Sequence, residues 1–471
     1  MMSWLRTRSE TVPAPRPRLG LEALDARDVP AALGSGALAH PGGTAAAVVY
    51  TETNNPQDGQ NAVLAFARDA RTGALTQIGT FATGGTGQLN VPKIVGPDDG
   101  DQQVQATADG RFLFAVNQGS DSVTAFRVLG NGGLHRIGTF ASGGDQPDSI
   151  GIAGNTLYVA NRGDAGQGHP GTTAPRVVAF NIGRDGALVA IPNSTVTFPV
   201  GTFVTQALVS PDGRFLFVEA ATLAGTPGGN TVNTFRIGAD GRLTAAPGGP
   251  ASAGANAPVL LGAAAHPTRN IVYTGFASSG QVGVFTYDET GRTNFVGPAA
   301  DSGAAPCWCT ISADGRVLYV ANTATDSVSV FSLADPLRPV QIQELPLGGP
   351  RGATAAGRPV TNAFEIALDP TGRFLYAVTQ STDPAFPQGN QLHTLRVARD
   401  GTLSEPLAPV IFEQKDVPAN AHPQGVEVVQ LRGGRSNERD HRVYVGSEPF
   451  DGDGLGHFED ALKRFRGRFG R

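Results

Sequence analysis

The sequence predicts an all-β fold made of one repeated unit, and three observations lead to this prediction. A polar turn, a glycine, an arginine and a run of aromatic and β-branched residues recur along the chain. The turn position falls at residues 110, 154, 213, 269, 315 and 372, at separations of 44, 59, 56, 46 and 57 residues. Alternating apolar residues and Gly-bearing turns surround each copy, as in antiparallel strands joined by hairpins. Four strands repeated at this period are typical of β-propeller blades.

Each predicted unit contains the same four strands in the same order. A short apolar strand precedes the turn, as at residues 205–209, and the aromatic run at 215–218 is the second strand. The third strand alternates, as at 122–128, and the fourth follows a glycine turn, as at 133–140. β-branched and aromatic side chains fit a pleated, half-buried surface, whereas Gly and Asn suit the turns.

A seventh blade is predicted from two incomplete pieces at the two ends of the chain. Residues 47–51, 62–66 and 75–79 supply three strands without an inner one, and residues 423–430 resemble an inner strand without its blade. Pairing the N-terminal and C-terminal segments closes the ring and leaves no open sheet edge. We therefore predict seven blades. Residues 441–445 leave a competing second strand or an eighth blade open.

The propeller is expected to cover residues 46–431, with a leader at 1–45 and an extension at 432–471. Residues 19–30 read Leu-Gly-Leu-Glu-Ala-Leu-Asp-Ala-Arg-Asp-Val-Pro. This segment resembles the leader of surface and secreted proteins of planctomycete bacteria, which implies an extracellular or cell-surface location; a disordered cytoplasmic extension is the alternative. Residues 458–466 suggest a short basic amphipathic helix or a frayed tail.

Composition and charge exclude several classes of function. The 471 residues include 63 Gly and 34 Pro, 40% are hydrophobic, and no apolar run is long enough to span a bilayer. The net charge of −5 is spread along the chain, so we expect no nucleic-acid partner. We expect a monomer without a cofactor and without a transmembrane segment.

Cys307 and Cys309 lie two residues apart and share one face of a strand. Two thiols without a histidine cluster make a poor zinc site, and a disulfide across one residue would be strained. We expect free, buried cysteines and no metal site.

The repeated phrases ending in Asn117, Asn161 and Asn322 are similar to those of the lactonase-type seven-bladed propellers. That group includes the propeller 6-phosphogluconolactonases, the carboxymuconate cyclases and the Tyr-Val-Thr-Asn repeat proteins. Further similarity lies at 283–288, at 305–308 (Ala-Pro-Cys-Trp) and at 423–426 (Pro-Gln-Gly-Val). The resemblance covers about residues 46–431 and implies a carboxylic ester hydrolase that opens lactones.

Three segments depart from the lactonase pattern. The family carries a His-x-His pair before an early inner strand, an Arg-His pair in a later one, and Asn-Glu-Leu after a second strand. Here residues 100–103 read Gly-Asp-Gln-Gln, residues 203–206 read Phe-Val-Thr-Gln, and residues 217–221 read Phe-Val-Glu-Ala-Ala. A lactone hydrolase with a rearranged site, a non-catalytic ligand- or protein-binding propeller at the cell surface, and a structural surface component all stay open.

Propeller geometry predicts where a site would lie. Inner strands begin on the face to which the loops between second and third strands return, so both sets of residues should converge on one mouth of the central channel. The inner-strand starts are Gln103, Ser149, Gln206, Gly262, Trp308, Glu365 and Gly425. The opposing loops bring Asn117, Gln118, Asn161, Arg162, Glu219, Asn322 and Gln380.

From these residues we select Glu219 and Glu365 as catalytic candidates. The substrate-binding candidates are Arg162, Gln206, Trp308, Asn322 and Gln103. Two carboxylates and a guanidinium could hold a sugar lactone or sugar acid, with one carboxylate as general base. They could equally pair with each other or with backbone groups.

Other residues around the predicted mouth have alternative roles or are expected to have no part in a site. Trp308 is either a stacking platform for a sugar ring or a plug of the channel. The long loops at 163–175 and 383–390 could bind a protein partner. His169 is expected at the surface of the first loop, and His266 is expected as a turn residue.

Overall fold

The structure is a computed structural model of the 471-residue chain. It describes residues 47–89, 99–166, 169–170, 172–223, 225, 227–254, 259–349 and 360–431. The predicted leader, the predicted extension, and with it segments 441–445 and 458–466, lie outside these residues. The described residues form strands and two single-turn 3-10 helices, Gln118–Ser120 and Pro387–Gly389, so the all-β prediction is confirmed. No helix in this part of the chain is long and apolar enough to cross a membrane.

Seven antiparallel sheets form the ring, and we call them blades 1–7. Each blade runs outward from an inner strand through a second and a third strand to an outer strand. Blade 1 contains Gln424–Gln430, Ala47–Glu52, Ala62–Arg68 and Leu75–Ala82. Blade 2 contains Val104–Ala106, Phe112–Asn117, Ser122–Val128 and Leu134–Ala141. Blade 3 contains Pro147–Ala153, Thr156–Asn161, Arg176–Ile182 and a divided outer strand, Leu188–Ala190 and Val196–Thr197.

The remaining four blades repeat this order. Blade 4 contains Phe203–Val209, Phe215–Ala221, Thr231–Ile237, Leu243–Ala245 and Ala251–Ser252. Blade 5 contains Leu260–Ala265, Ile271–Phe276, Gln281–Tyr287 and Thr293–Ala300. Blade 6 contains Pro306–Ile311, Val317–Asn322, Ser327–Ser332 and Val340–Pro346. Blade 7 contains Thr361–Leu368, Phe374–Ser381, Gln391–Val397, Leu403–Ser404 and Val410–Ile411. A two-stranded hairpin, Ala165–Gly166 with His169–Pro170, extends a loop of blade 3.

The ring closes by the predicted pairing of the two ends of the chain. Ala47–Glu52 pairs antiparallel with Gln424–Gln430, with Val49 opposite Val428 and Tyr50 opposite Glu427. Inner strands of neighbouring blades touch all the way around the channel, including those of blades 7 and 1. The prediction of seven blades is therefore confirmed.

The repeated phrase forms the turn between the inner and second strands. In blade 4 the Asp212 carboxylate accepts the backbone N–H of Arg214 at 3.1 Å and the Ser210 hydroxyl at 2.6 Å. Gly213 has a φ of +71°, which residues with a side chain rarely adopt. In blade 5 the ring of His266 accepts the backbone N–H of Thr268, as expected of a turn residue. We call the side of the ring that carries these turns the turn face, and the opposite side the loop face.

The hydrophobic core lies between the blades. Each buried cluster combines side chains of neighbouring sheets, such as Phe114 of blade 2 with Val159 of blade 3, and Tyr158 of blade 3 with Val218 of blade 4. Period-2 alternation buries one side of each sheet against the preceding blade and the other side against the next. Packing between repeats therefore carries the stability of the ring.

A tyrosine hydroxyl connects most blades to the next one. The tyrosine lies on the second strand and donates to a carbonyl in the turn before the neighbour's outer strand. These bonds join Tyr50 to Gly132, Tyr158 to Gly241, Tyr273 to Pro336, Tyr319 to Gly401, and Tyr376 to Gly73. Blades 2 and 4 carry Phe114 and Phe217 at this position. Burial raises the pKa of all five tyrosines, so they remain donors.

We expect Tyr376→Phe to destabilise the ring at its closure. The variant keeps the ring packing and leaves the Gly73 carbonyl, 3.2 Å from the hydroxyl, without its donor. Loss of one such buried bond costs about 1 kcal/mol. Urea denaturation measures the change in the free energy of unfolding. Tyr287→Phe is the matched control because its ring packs against Phe215 and Phe217; equal effects in the two variants would contradict a role for the inter-blade bond.

Candidate active site in the central channel

Bulges interrupt several of the inner strands near their start. The pairing register shifts between Pro147 and Ser149, Val204 and Gln206, Leu261 and Ala263, Pro306 and Cys309, and Ala363 and Ile366. A bulge adds a residue to one strand, bends it and re-aims the side chain. Asp148, Thr205, Trp308 and Glu365 occupy bulge positions, so local strand geometry explains why they leave the regular alternation.

A cavity of about 370 Å³ lies in the channel. Asp101, Gln206 and Glu365 line it near the inner-strand starts, and Pro370 and Gly372 line it at the turn face. Gln102, Gln105, Cys309 and Glu427 also border it. This cavity therefore extends from the candidate residues toward the turn face, whereas the sequence suggested the mouth at the loop face.

Glu365 is the catalytic candidate that faces this cavity. Its side chain is 3% exposed, and its Oε2 accepts the backbone N–H of Val426 at 3.1 Å. Its Oε1 has no hydrogen-bond partner among the described residues. Burial raises the pKa of Glu365 well above its ordinary value, and the negative charge of Asp101 raises it further.

Asp101 is the second carboxyl group of the cavity. Its residue is 8% exposed, and its backbone N–H donates to the Thr205 carbonyl at 2.9 Å. Burial raises the pKa of Asp101, and the charge of Glu219 adds to that rise. Asp101 thus interacts electrostatically with both catalytic candidates, and carboxyl groups that repel one another in a buried site retain protons at neutral pH.

Glu219, the other catalytic candidate, lies outside the lining of this cavity. It is 1% exposed and accepts hydrogen bonds from the Thr205 hydroxyl at 3.3 Å and from the Thr274 hydroxyl. Burial raises its pKa to about 7, although the two hydroxyls act in the opposite direction. Glu219 therefore influences Asp101 by its charge.

Arg162 is fully buried and paired within the protein. Its guanidinium lies 3.6 Å from the Asp148 carboxylate and 4.3 Å from the ring centre of Phe203. Asp148 also accepts a hydrogen bond from the Gln118 amide. The structure thus places Arg162 in an ion pair with Asp148, and does not bring Arg162, Glu219 and Glu365 together on the described cavity.

The two glutamine candidates are occupied by backbone groups. Gln206 lines the cavity, but its Nε2 donates to the Ala263 carbonyl at 3.1 Å and its Oε1 accepts the Ala263 N–H at 2.5 Å. Gln103 is fully buried and donates to the Gly100 carbonyl at 2.8 Å. Gln206 therefore joins the inner strands of blades 4 and 5, and Gln103 holds the segment that precedes its own strand.

Trp308 and Asn322 are also buried. The Trp308 ring is 1% exposed and packs edge-on against Phe364, with ring centres 4.6 Å apart. The Asn322 amide donates to the hydroxyls of Ser327 at 3.2 Å and Ser329 at 2.8 Å. In blade 2 the equivalent Asn117 makes the same bonds to Ser122 and Thr124, so this position joins the second and third strands of a blade.

The cysteines are free and buried, as expected. Cys309 borders the cavity, and burial together with the charge of Asp101 raises its pKa, so it remains a thiol. Among the described residues, no group of three or more His, Cys, Asp or Glu side chains could hold a metal ion.

Three carboxyl groups of the cavity, those of Asp101, Asp369 and Glu427, are absent from the sequence prediction. Asp101 lies before its inner strand, in the segment 100–103 that lacks the family histidines. Glu427 lies two residues from Gly425 on the same strand and therefore on the same face, which period-2 counting could have found. Burial raises the pKa of Glu427 to about 8.

Comparison with known proteins supports the fold and the family. A family model described as lactonase, 7-bladed beta-propeller, matches residues 60–169 and 220–387. No curated protein gives a significant match to the chain. The periplasmic gluconolactonase of Pseudomonas aeruginosa is 19% identical over 82% of this chain and 100% of its own, with a TM-score of 0.61. A candidate 6-phosphogluconolactonase of Bacteroides fragilis is 17% identical over 83% and 100%, also with a TM-score of 0.61. At these identities, the structural similarity concerns the fold.

The raised pKa of Glu219 predicts a pH-dependent stability. Below its ordinary pKa of 4.5 the carboxyl is protonated in both states, and its contribution is fully present. As the pH rises through about 7, the unfolded state has already lost the proton that the folded state retains, so stability falls. Glu219→Gln should reduce this decline between pH 5 and 8 by on the order of 2 kcal/mol.

Urea denaturation at several pH values measures the effect. Glu413→Gln, at an exposed carboxylate, is the control. An unchanged pH dependence in Glu219→Gln would show that this carboxyl titrates alike in both states.

Proposed function

Because the chain belongs to the lactonase family of seven-bladed β-propellers, we propose that it hydrolyses an unphosphorylated lactone in the central channel. The observation that carries this proposal is the pair of buried carboxyl groups, Asp101 and Glu365, that face one cavity. Burial raises the pKa of Asp101 to about 8 and that of Glu365 well above its ordinary value, and the charge of Asp101 raises the latter further. The singly ionised pair, one acid and one base, therefore forms as the pH rises toward 8. Ester hydrolysis requires these two functions.

In the proposed reaction the two carboxyl groups exchange roles. The ionised member accepts a proton from water as the water oxygen bonds to the lactone carbonyl carbon. The protonated member donates its proton to the ring oxygen as the carbon–oxygen bond breaks. The product is the open hydroxy acid, and a proton moves between the pair to restore the starting state. The side-chain amides of Gln102 and Gln105, which line the cavity, would donate hydrogen bonds to the oxyanion.

The lining of the cavity favours a substrate without phosphate. None of the described residues around it is Lys, Arg or His. A phosphate group would meet carboxyl groups and no counter-charge, whereas phosphate sites use Arg, Lys or helix N-termini. The Pseudomonas aeruginosa protein of similar fold is named a gluconolactonase, which supports a sugar lactone as the class of substrate.

We expect the purified chain to open δ-gluconolactone and to open its 6-phosphate at least tenfold more slowly. Glu365→Gln and Asp101→Asn should each lower kcat/KM by about 10²- to 10⁴-fold, because each removes one proton-transfer group. Acid release at constant pH measures turnover above the spontaneous rate.

Two controls separate chemistry from packing. Glu219→Gln removes a carboxyl outside the cavity lining and should lower turnover far less. Glu289→Gln changes an exposed carboxylate and should leave it unchanged. No turnover above background across a panel of sugar lactones would contradict the proposal and leave the non-catalytic binding propeller as the function.

Residues 19–30 support a second part of the proposal, that the protein is exported. We expect the full chain, expressed in a planctomycete, to be recovered from the cell envelope or medium. A chain without residues 1–45 should stay in the cytosolic fraction. Equal distribution of the two chains would contradict export through this leader.

A further inference from the structure

The cavity contains more carboxyl groups than lactone hydrolysis uses. Four acidic residues line it: Asp101, Glu365, Asp369 and Glu427. Asp369 is committed to the fold, since it lies 3.5 Å from the Arg68 guanidinium and accepts the backbone N–H of Arg373. Asp101 and Glu365 suffice for the proton transfers. Glu427 is left without a role in the chemistry.

The cavity also contains side-chain oxygen atoms that have no hydrogen-bond partner among the described residues. Glu365 Oε1 and Gln102 Oε1 are buried and have no partner among the described residues. Buried polar atoms are almost always paired, so each of these oxygens needs an explanation. The attacking water supplies a donor to one of them. The Gln102 amide oxygen can only accept, so a donor group of the ligand would satisfy it.

Local backbone geometry holds these oxygens in place. Gln102 has a φ of +67°, a conformation that is costly for a residue with a side chain. Its backbone carbonyl accepts the N–H of Ile150 at 3.0 Å, which ties this residue to blade 3. Glu365 is held by the Val426 N–H, from the same strand that carries Glu427. The acceptors thus belong to a built site with fixed positions.

An ammonium group has the chemistry that this lining lacks. It brings three N–H donors, no acceptor and one positive charge. No described cationic side chain borders the cavity to supply either the donors or the charge. A neutral hydroxyl would supply a donor but no positive charge to favour the ionised form of Glu427.

We propose that the ligand of this cavity carries a protonated amino group, as an amino-sugar lactone does, and that Glu427 binds it. The lactone part of this ligand rests on the proposed function. The amino part does not depend on it. Charge attraction between the amine and the carboxyl groups of the cavity gives the amine an advantage over an isosteric hydroxyl. Because burial raises the pKa of Glu427 to about 8, binding of the cation should release protons from the cavity.

Calorimetric binding of glucosamine and of glucose to the full chain tests the inference without requiring turnover. At pH 6.5 we expect glucosamine to bind at least tenfold more tightly than glucose, and added salt should reduce the difference. Titrations in two buffers of different ionisation enthalpy should reveal proton release with glucosamine alone. Equal affinity for the two sugars would overturn the inference.

Three variants locate the amine. Glu427→Gln should lower the preference for glucosamine at least tenfold, and Gln105→Lys, which places a cation in the cavity, should abolish it. Glu289→Gln should retain it. A preference that survives both cavity variants would overturn the assignment to Glu427. Urea denaturation verifies that each variant is folded.

The two proposals fail in distinguishable ways. Lactone turnover together with equal binding of glucosamine and glucose would contradict the amine site and retain the proposed hydrolase. A preference for glucosamine that depends on Glu427, without turnover of any lactone, would retain the amine site and contradict the proposed hydrolase.

Discussion

Pairing of the C-terminal strand with the N-terminal blade is the contact on which the ring and the channel both depend. Gln424–Gln430 completes blade 1 and removes its open edge. The same strand supplies Glu427 and the Val426 N–H that binds Glu365. The buried Arg68–Asp369 ion pair joins blades 7 and 1. The last described strand therefore completes both the fold and the candidate site.

The buried carboxyl groups of the channel lower the stability of the fold and favour proton transfer. Asp101, Glu219 and Glu365 are removed from water, and desolvation is the first cause of each raised pKa. Arg162, the cationic candidate of the sequence prediction, forms its ion pair with Asp148. Carboxyl groups left in this state are costly for the fold and suited to proton transfer, a combination typical of catalytic sites. The inter-blade packing and the tyrosine bonds offset the cost.

Much of the fold could be predicted from local patterns, whereas the site could be predicted only in part. The sequence predicts that Glu365 and Gln206 lie on the channel because inner strands begin at a recognisable distance before each turn, and both residues line the cavity. The partners of Arg162 and Asn322 were not predictable. Asp148 precedes Arg162 by a strand and a bulge, and the Asn322 bonds depend on the register of blade 6. Side chains at bulges leave the alternation that sequence reasoning follows.

The sequence by itself determined the all-β class, the number of blades, the closure and the family, since each follows from a period, a turn residue or a terminal fragment. Only the tertiary structure decided which carboxyl groups share a cavity. Asp101, Glu365 and Glu427 belong to three different blades or their connections and are separated by 264 and 62 residues in the chain. Their proximity depends on how inner strands pack around the axis, and no local pattern contains that information.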